Sequence, residues 1–208
     1  GQKEAGLTAW KQSVTLDPSF SIANRNAGFG EGVKGNWEEA IAYYDRAIEA
    51  NPEDALLLTE SDKLYEQANR PFDQRLKRLE KRMKTVLKHD DAVMRLLTLY
   101  NWAGQYDKAI RILDNRHFHL WEGGGQVHDI YVDSHALKGL KLLTGKQYAK
   151  AIQEFDLAGQ YPVNLEVAPP THGGYTAKLA YLSGLACEGQ GKTAEAKAFF
   201  EQSAQAEV

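Results

Sequence analysis

The side chains able to do chemistry gather in one stretch, RHFHLWEGGGQVHD, residues 116–129. It holds His117, His119 and His128, three of the chain's six histidines, together with Trp121, Glu122 and Asp129. His117-x-His119 with His128 supplies three imidazoles of the kind that bind zinc, but no cysteine pair, helical HExxH or fourth ligand frames them. Glu122 and Asp129 offer a carboxylate pair for general acid–base work, yet nothing in the sequence fixes their separation. No P-loop, dinucleotide fingerprint or nucleophile elbow is present, and the spacing of Gly123, Gly124 and Gly125 matches none of them. The expectation is a chain that is not an enzyme, with no catalytic residue, no cofactor and no resident metal. A loop-borne metal site stands as a third reading.

Composition narrows the partners. The 25 basic and 28 acidic side chains give a formal charge of -3, so no basic excess marks a nucleic-acid or anionic-membrane binder. No apolar run approaches the roughly 20 residues of a membrane span. Cys187 is the one cysteine, set in SGLACEGQG, and is expected to be a small buried apolar residue rather than a nucleophile. Nothing in the cysteine count requires an oxidising compartment, which favours the cytoplasm. The opening, QKEAGLTAWKQSV, starts inside a helical pattern without Met or a signal segment, as expected of a piece of a larger protein.

The elements that must position these residues are helices. Helix-favouring segments alternate with short Gly, Asn, Asp or Pro breaks, and few alternating β-branched runs compete. LTAWKQSVTLDPSF aligns on IAYYDRAIEANPED at a spacing of 34 residues, with Trp10 on Tyr44, Ser13 on Ala47 and Pro18 on Pro52. GNWEEAIAYYDRA, GQYDKAIRILDNR, KQYAKAIQEFDLA and GKTAEAKAFFEQS share one frame. Small residues at Gly28, Ala40 and Ala47 would let paired helices approach closely while Tyr44 fills the groove between them. Asn51-Pro52 and Asp17-Pro18 would each set a capping side chain before a proline in the first turn of a helix.

This pattern resembles the tetratricopeptide repeat, a helix-turn-helix unit of about 34 residues. Gly28, Ala40, Tyr44, Ala47 and Pro52 fall on the family's signature positions, Trp37 opens the second helix of that unit, and Gly184, Ala196, Phe200 and Ser203 match in the last. The resemblance implies an all-α fold, a right-handed α-solenoid of stacked helix pairs spanning 1–208 as a single domain. Residues 1–20 would be the second helix of a truncated unit, followed by units at 21–54, 55–89, 90–128, 129–170 and 171–208. Eleven helices are expected, near 4–15, 21–34, 37–50, 53–67, 72–88, 90–103, 106–116, 128–144, 147–160, 173–189 and 193–206. The unit containing ANRPFDQRLKRLEKRMKTVLKHD departs from the pattern, with Gln74 and Arg75 where alanine belongs. Its Leu76, Leu79, Met83 and Val86 still make one face, with the Arg and Lys residues between them expected on the solvated side.

Two successive units carry insertions: Ala109 to Ala151 is 42 residues and Ala151 to Ala196 is 45. The extra residues make long loops at 117–128 and 161–174. Equivalent connections in a stacked array emerge on the same edge, so the loops should be neighbours. They would bring His117, His119, Trp121, Glu122 and His128 beside Tyr161, Asn164, His172 and Tyr175. An indole among imidazole, carboxylate and amide groups suits a sugar ring or a peptide turn; packing alone accounts for the same residues equally simply.

Tetratricopeptide arrays generally hold peptides or protein surfaces in a concave groove lined by first helices, which here implies Ile22, Arg25, Phe29 and Val33. The chaperone-binding members read a C-terminal carboxylate, but Phe29 stands where their clamp asparagine would be and Asp91 where a lysine is needed, which disfavours that role. RHFHLWEGG…VHDIYVD followed by YPVNL also resembles the repeat region of large bacterial proteins whose N-terminal part is a galactose-mutarotase-like β-sandwich of unknown function. The expected function is a non-catalytic protein or interdomain interaction scaffold. The alternative is an accessory part of a carbohydrate-active enzyme whose His/Trp edge helps recognise sugar. Expected partners are a protein or peptide, an upstream domain of the same chain, or carbohydrate, and neither nucleic acid nor membrane.

Overall fold

The computed structural model describes residues 2–119, 126–169 and 175–206, and among these there is no strand. The helices are α1 Gln2–Leu16, α2 Ser21–Val33, α3 Trp37–Ala50, α4 Ala55–Gln67, α5 Phe72–Lys81, α6 Met83–Val86 and α7 Asp90–Trp102. They continue as α8 Tyr106–Asn115, α9 Gln126–Thr144, α10 Tyr148–Ala158, α11 Thr176–Gly189 and α12 Thr193–Gln205, with a 3-10 turn at Val163–Leu165. No described helix is long and apolar enough to cross a membrane.

Each expected helix is present, but the one at 72–88 is two. The chain leaves the helix at Arg82, whose φ of -116° and ψ of 31° break α5 from α6. Beyond the break the Thr85 hydroxyl donates to Pro52 O at 3.1 Å, tying α6 to the turn before α4.

Among the described residues one turn recurs five times and sets the helix pairs. Gly35, Asn69, Gly104, Lys146 and Gly191 all take positive φ, between 54° and 80°. After each, the next amide reaches back five residues: Asn36 N to Glu31 O, Arg70 N to Tyr65 O, Gln105 N to Tyr100 O, Gln147 N to Leu142 O and Lys192 N to Cys187 O, at 2.8–3.0 Å. This is a Schellman closure, which satisfies a terminal carbonyl and reverses the chain within a few residues. In the pairs α2–α3, α9–α10 and α11–α12 the following helix folds back to pack on the one before it.

A second contact recurs between the paired helices. A Cβ on Gly28 would lie 2.7 Å from the Tyr44 ring, one on Gly139 2.4 Å from the Phe155 ring, and one on Gly184 2.5 Å from the Phe200 ring. In each pair the aromatic residue follows its glycine by 16 positions. The ring occupies the volume a side chain would need, so the helix backbones approach closely.

By its contacts the chain divides into two compact units, Gly1–Leu99 and Tyr100–Val208, the division falling within α7. In the first, Ala23, Ala27, Ala40 and Ala47 are buried between α2 and α3, and Leu57, Leu79, Val86, Val93 and Leu96 continue the core through α4 to α7. In the second, Val132, Ala151, Phe155, Ala158, Leu179 and Ala186 form a core cluster, and Cys187 is fully buried, with burial raising its thiol pKa.

Two local expectations are corrected. Arg75 is not on a solvated side: it is 4% exposed and forks onto Asp62 through two bonds of 2.9 Å, while Arg95 reaches the same carboxylate at 2.6 Å. An ion cluster thus replaces the small-residue contact that Gln74 and Arg75 cannot make. Nor do Asp17-Pro18 and Asn51-Pro52 cap helices. Helix α2 starts at Ser21 with no side-chain cap, and Asp54 is the residue that caps α4, accepting from Leu56 N at 2.9 Å and Leu57 N at 3.4 Å. Asp17 instead closes its own turn by accepting from Ser19 N at 2.9 Å.

Candidate interaction surfaces

The two long connections meet in the second unit, joined by their own polar groups. Helix α8 ends at Asn115 and the chain runs on extended. Asn164, in the 3-10 turn, donates from its side chain to Leu113 O and Arg116 O, both at 2.7 Å, so it satisfies a carbonyl that the end of α8 leaves open. Phe118 N donates to Asn164 O at 2.8 Å, while the Phe118 and Leu165 side chains are buried beneath.

The described histidines of this edge are engaged within the chain. His117 Nε2 lies 2.7 Å from Glu166 Oε1, and His119 stands edge-on to His117 with ring centroids 4.9 Å apart. His128, on α9, is buried. Its Nε2 donates to Gln160 O at 2.9 Å and its ring stacks on Tyr161 at 3.9 Å and 13°. The Tyr175 hydroxyl donates to Asp129 at 2.6 Å, and burial together with that carboxylate pushes its pKa above the usual tyrosine range. His128, Tyr161 and Tyr175 line one side of a cavity of about 340 Å³ whose other walls include Phe155, Leu179 and Phe199. Trp121, Glu122, Gly123 to Gly125 and His172 lie outside the described residues. Among the described residues no three His, Cys, Asp or Glu side chains are grouped to hold a metal ion.

The first unit has a different surface. Of the residues expected to line a groove, Ile22, Phe29 and Val33 are 56%, 64% and 67% exposed. Their spacing of seven and then four places them on one face of α2. Arg25 is tied to Glu60 on α4 by bonds of 2.7 and 2.5 Å, and Tyr44 donates to the same carboxylate at 3.0 Å. Beside the stripe, a groove of about 500 Å³ runs between α1 and α2. Leu7, Trp10, Phe29, Gly30 and Val33 line it, with Glu4 and Lys34 among its polar members. Sequence reasoning did not single out Leu7 or Trp10 as surface residues. The available signal was Trp10 standing in register with Tyr44.

Helix pairs joined by one repeated turn and one repeated glycine–aromatic contact define a helical-repeat protein. The family profile described as "Tetratricopeptide repeat" matches residues 34–54 and 177–207. These two segments match that repeat, and the solved structures the chain resembles share its helical-repeat fold. One is described as the crystal structure of MamA protein: TM-score 0.57, 18% identity, 88% of this chain and 89% of that one covered. Another is YrrB, "a TPR protein with an unusual peptide-binding site", at TM-score 0.57, 15% identity, and 94% and 90% coverage. A third, MamA from Desulfovibrio magneticus RS-1, has TM-score 0.54, 17% identity, and 89% and 93% coverage.

Proposed function

We propose that this chain is a non-catalytic interaction module that seats a polypeptide segment on the apolar stripe of α2. The observation that carries this is the stripe itself. Ile22, Phe29 and Val33 are three large apolar side chains held in water on one helix face. A contiguous exposed patch of this kind, beside a groove and next to a fixed Arg25–Glu60 pair, is what a partner surface requires. The peptide-binding description of YrrB agrees with this class of partner. That partner is a separate protein or an upstream domain of a longer polypeptide, and the weaker resemblance to the repeat region of mutarotase-associated proteins would make such a domain a β-sandwich.

The sugar-recognising alternative rests on the loop edge. There His128 and Tyr161 cover each other's ring faces and His117 is occupied by Glu166, so the described groups that would greet a sugar are already paired. The metal reading requires ligands beyond the described residues.

The test is a peptide selection from a random displayed library against the whole chain, followed by amide NMR mapping of the winners. Selected peptides should shift the amides of Ile22, Phe29 and Val33. They should also lose about tenfold or more in affinity, roughly 1.4 kcal/mol, against the Phe29→Glu/Val33→Glu variant, whose melting temperature should stay near the parent's. Equal binding to both proteins, or shifts confined to His117, His119 and Tyr175 on adding oligosaccharides, would overturn it in favour of the loop edge.

A further inference from the structure

We propose that the cavity walled by α10, α11 and α12 binds a protonated amine carried on an apolar or aromatic body. The site belongs to the second unit, so it stands or falls separately from the α2 surface proposed above.

Small residues make the space. Ala158 and Gly159 line the cavity from the end of α10, and Ala180 and Ser183 from α11. Neither backbone nor packing requires the glycine. Gly159 has a φ of -80°, which any residue adopts, and a Cβ there would meet its nearest atoms at 3.6–4.0 Å, an ordinary contact. A larger side chain would fit and narrow the cavity, yet none stands there. At about 340 Å³ the space falls at the small end of the roughly 300–1,000 Å³ of ligand pockets.

The polar groups of the walls ask for a cation that donates hydrogen bonds. Asp156 is the acid among the described lining residues, and no lysine or arginine is among them. It makes no hydrogen bond or ion pair with a described residue, and burial alone raises its carboxyl pKa, the direction expected of an acid with no cation beside it. Ser183 is 3% exposed. A helical serine often returns its hydroxyl to the carbonyl four residues back, as Ser134 does to Ile130 O at 2.7 Å. The Ser183 hydroxyl has no partner among the described residues, so its oxygen is left to accept a bond from a ligand. His128 spends its Nε2 on Gln160 O and does not compete for that role. Phe155, Leu179 and Phe199 offer the apolar wall, and the Tyr161 and Tyr175 rings beside them are of the kind that attract an ammonium group. The rest of the chain at this edge does not answer the acid: residues 120–125 and 170–174, outside the described residues, contain no lysine or arginine. The charge opposite Asp156 therefore comes from a ligand.

Two sources carry this chemistry, a free amine and the lysine side chain of a polypeptide, and two probes separate them: phenethylamine, and lysine blocked as its Nα-acetyl N-methylamide. Each is titrated into the isotope-labelled full chain beside the alcohol that replaces its ammonium by hydroxyl. The expected result is amide shifts at Gly159, Thr176 and Ser183, with the amine bound about fivefold or more tightly than its alcohol. The probe with the higher affinity names the source. Asp156→Asn should abolish the preference for amine at an unchanged melting temperature, and Gly159→Leu should weaken amine and alcohol together. Equal affinities for amine and alcohol, or an undiminished preference in Asp156→Asn, would overturn the proposal. So would an equal loss from Glu188→Gln, an exposed acid outside the cavity, which would reduce the effect to attraction by net charge. Absence of shifts with both amines would leave the cavity without this role.

Discussion

Glu31 holds one wall of the groove in place. Its side chain is 2% exposed, yet it is satisfied on both oxygens: Asn36 Nδ2 donates at 2.5 Å and Lys11 Nζ lies at 2.6 Å. Lys11 also reaches Glu39 at 2.8 Å, so one ammonium on α1 is bound to α2 and α3. The Asn36 hydrogen bond first, and Lys11 next, hold the Glu31 carboxyl below the ordinary glutamate value of 4.5. A depressed folded-state pKa contributes stability that is present above the unfolded value and lost as the pH falls through the folded one. Urea unfolding at neutral pH should therefore show Glu31→Gln to be less stable than the parent by about 1.5–3 kcal/mol, the range for hydrogen bonds to charged groups. Lowering the pH from 4.5 through the folded-state value should shrink the gap progressively, because the parent then loses the same charge. Curves that stay parallel across that range would show that the Glu31 charge is not what joins α1 to its neighbours.

At the scale of elements, the same glycine–aromatic contact should not cost the same everywhere. Adding a methyl to a helical glycine gains about 0.8–1 kcal/mol of helix propensity, whereas forcing it into a filled core costs about 1–3 kcal/mol. Which term wins depends on whether the ring can yield. Phe155 is buried at 1% exposure within a cluster that leaves it nowhere to go, while Phe200 is only partly buried. Gly139→Ala should thus lower the midpoint of thermal unfolding, and Gly184→Ala should leave it nearly unchanged. Equal losses in the two variants would refute the dependence on ring freedom. These contacts also show how much was legible beforehand. The phrases beginning GNWEEA, GQYDKA, KQYAKA and GKTAEA start on Gly35, Gly104, Lys146 and Gly191, the residues that take the left-handed turn, so the helix pairs could be placed from local chemistry. Asn69 makes the same turn, but without the alanine five positions later its unit looked irregular. Arg75 escaped because a charged side chain between apolar ones reads as solvated until its partner is known, and Asp62 lies 13 residues away on another helix. At the loop edge the neighbouring of the two connections followed from stacking. That Asn164 would staple one to the other did not, since no periodicity marks an asparagine bonding to carbonyls 48 and 51 residues distant.

At the scale of the whole molecule, a repeat array transmits stability between neighbours rather than globally, and the Asp62–Arg75–Arg95 cluster is the place to test that. Asp62 and Arg75 are 1% and 4% exposed, and removing one member of a buried pair leaves the other uncompensated, at about 3–5 kcal/mol. Arg95 still holds Asp62 after Arg75→Ala, and Glu66, which lies 3.1 Å from Arg75 Nη1, keeps its own bond to Arg95 at 2.9 Å. The loss should therefore fall near the lower end, about 3 kcal/mol. In a chain whose interactions are mostly between successive helices, that loss opens the helices touching the cluster before it reaches the others. Native-state hydrogen exchange on Arg75→Ala should quicken amides in α4, α5, α6 and the first turns of α7. Those of α11 and α12 should exchange at the parental rate, because their core, from Leu179 and Ala186 to Ala196, is built from different side chains. Uniform quickening from α1 to α12 would mean that the array unfolds as one cooperative body. Local quickening would mean that a partner seated on α2 stiffens its own repeat and the next without ordering the rest, so a binding surface there and a loop edge in the second unit can be altered independently.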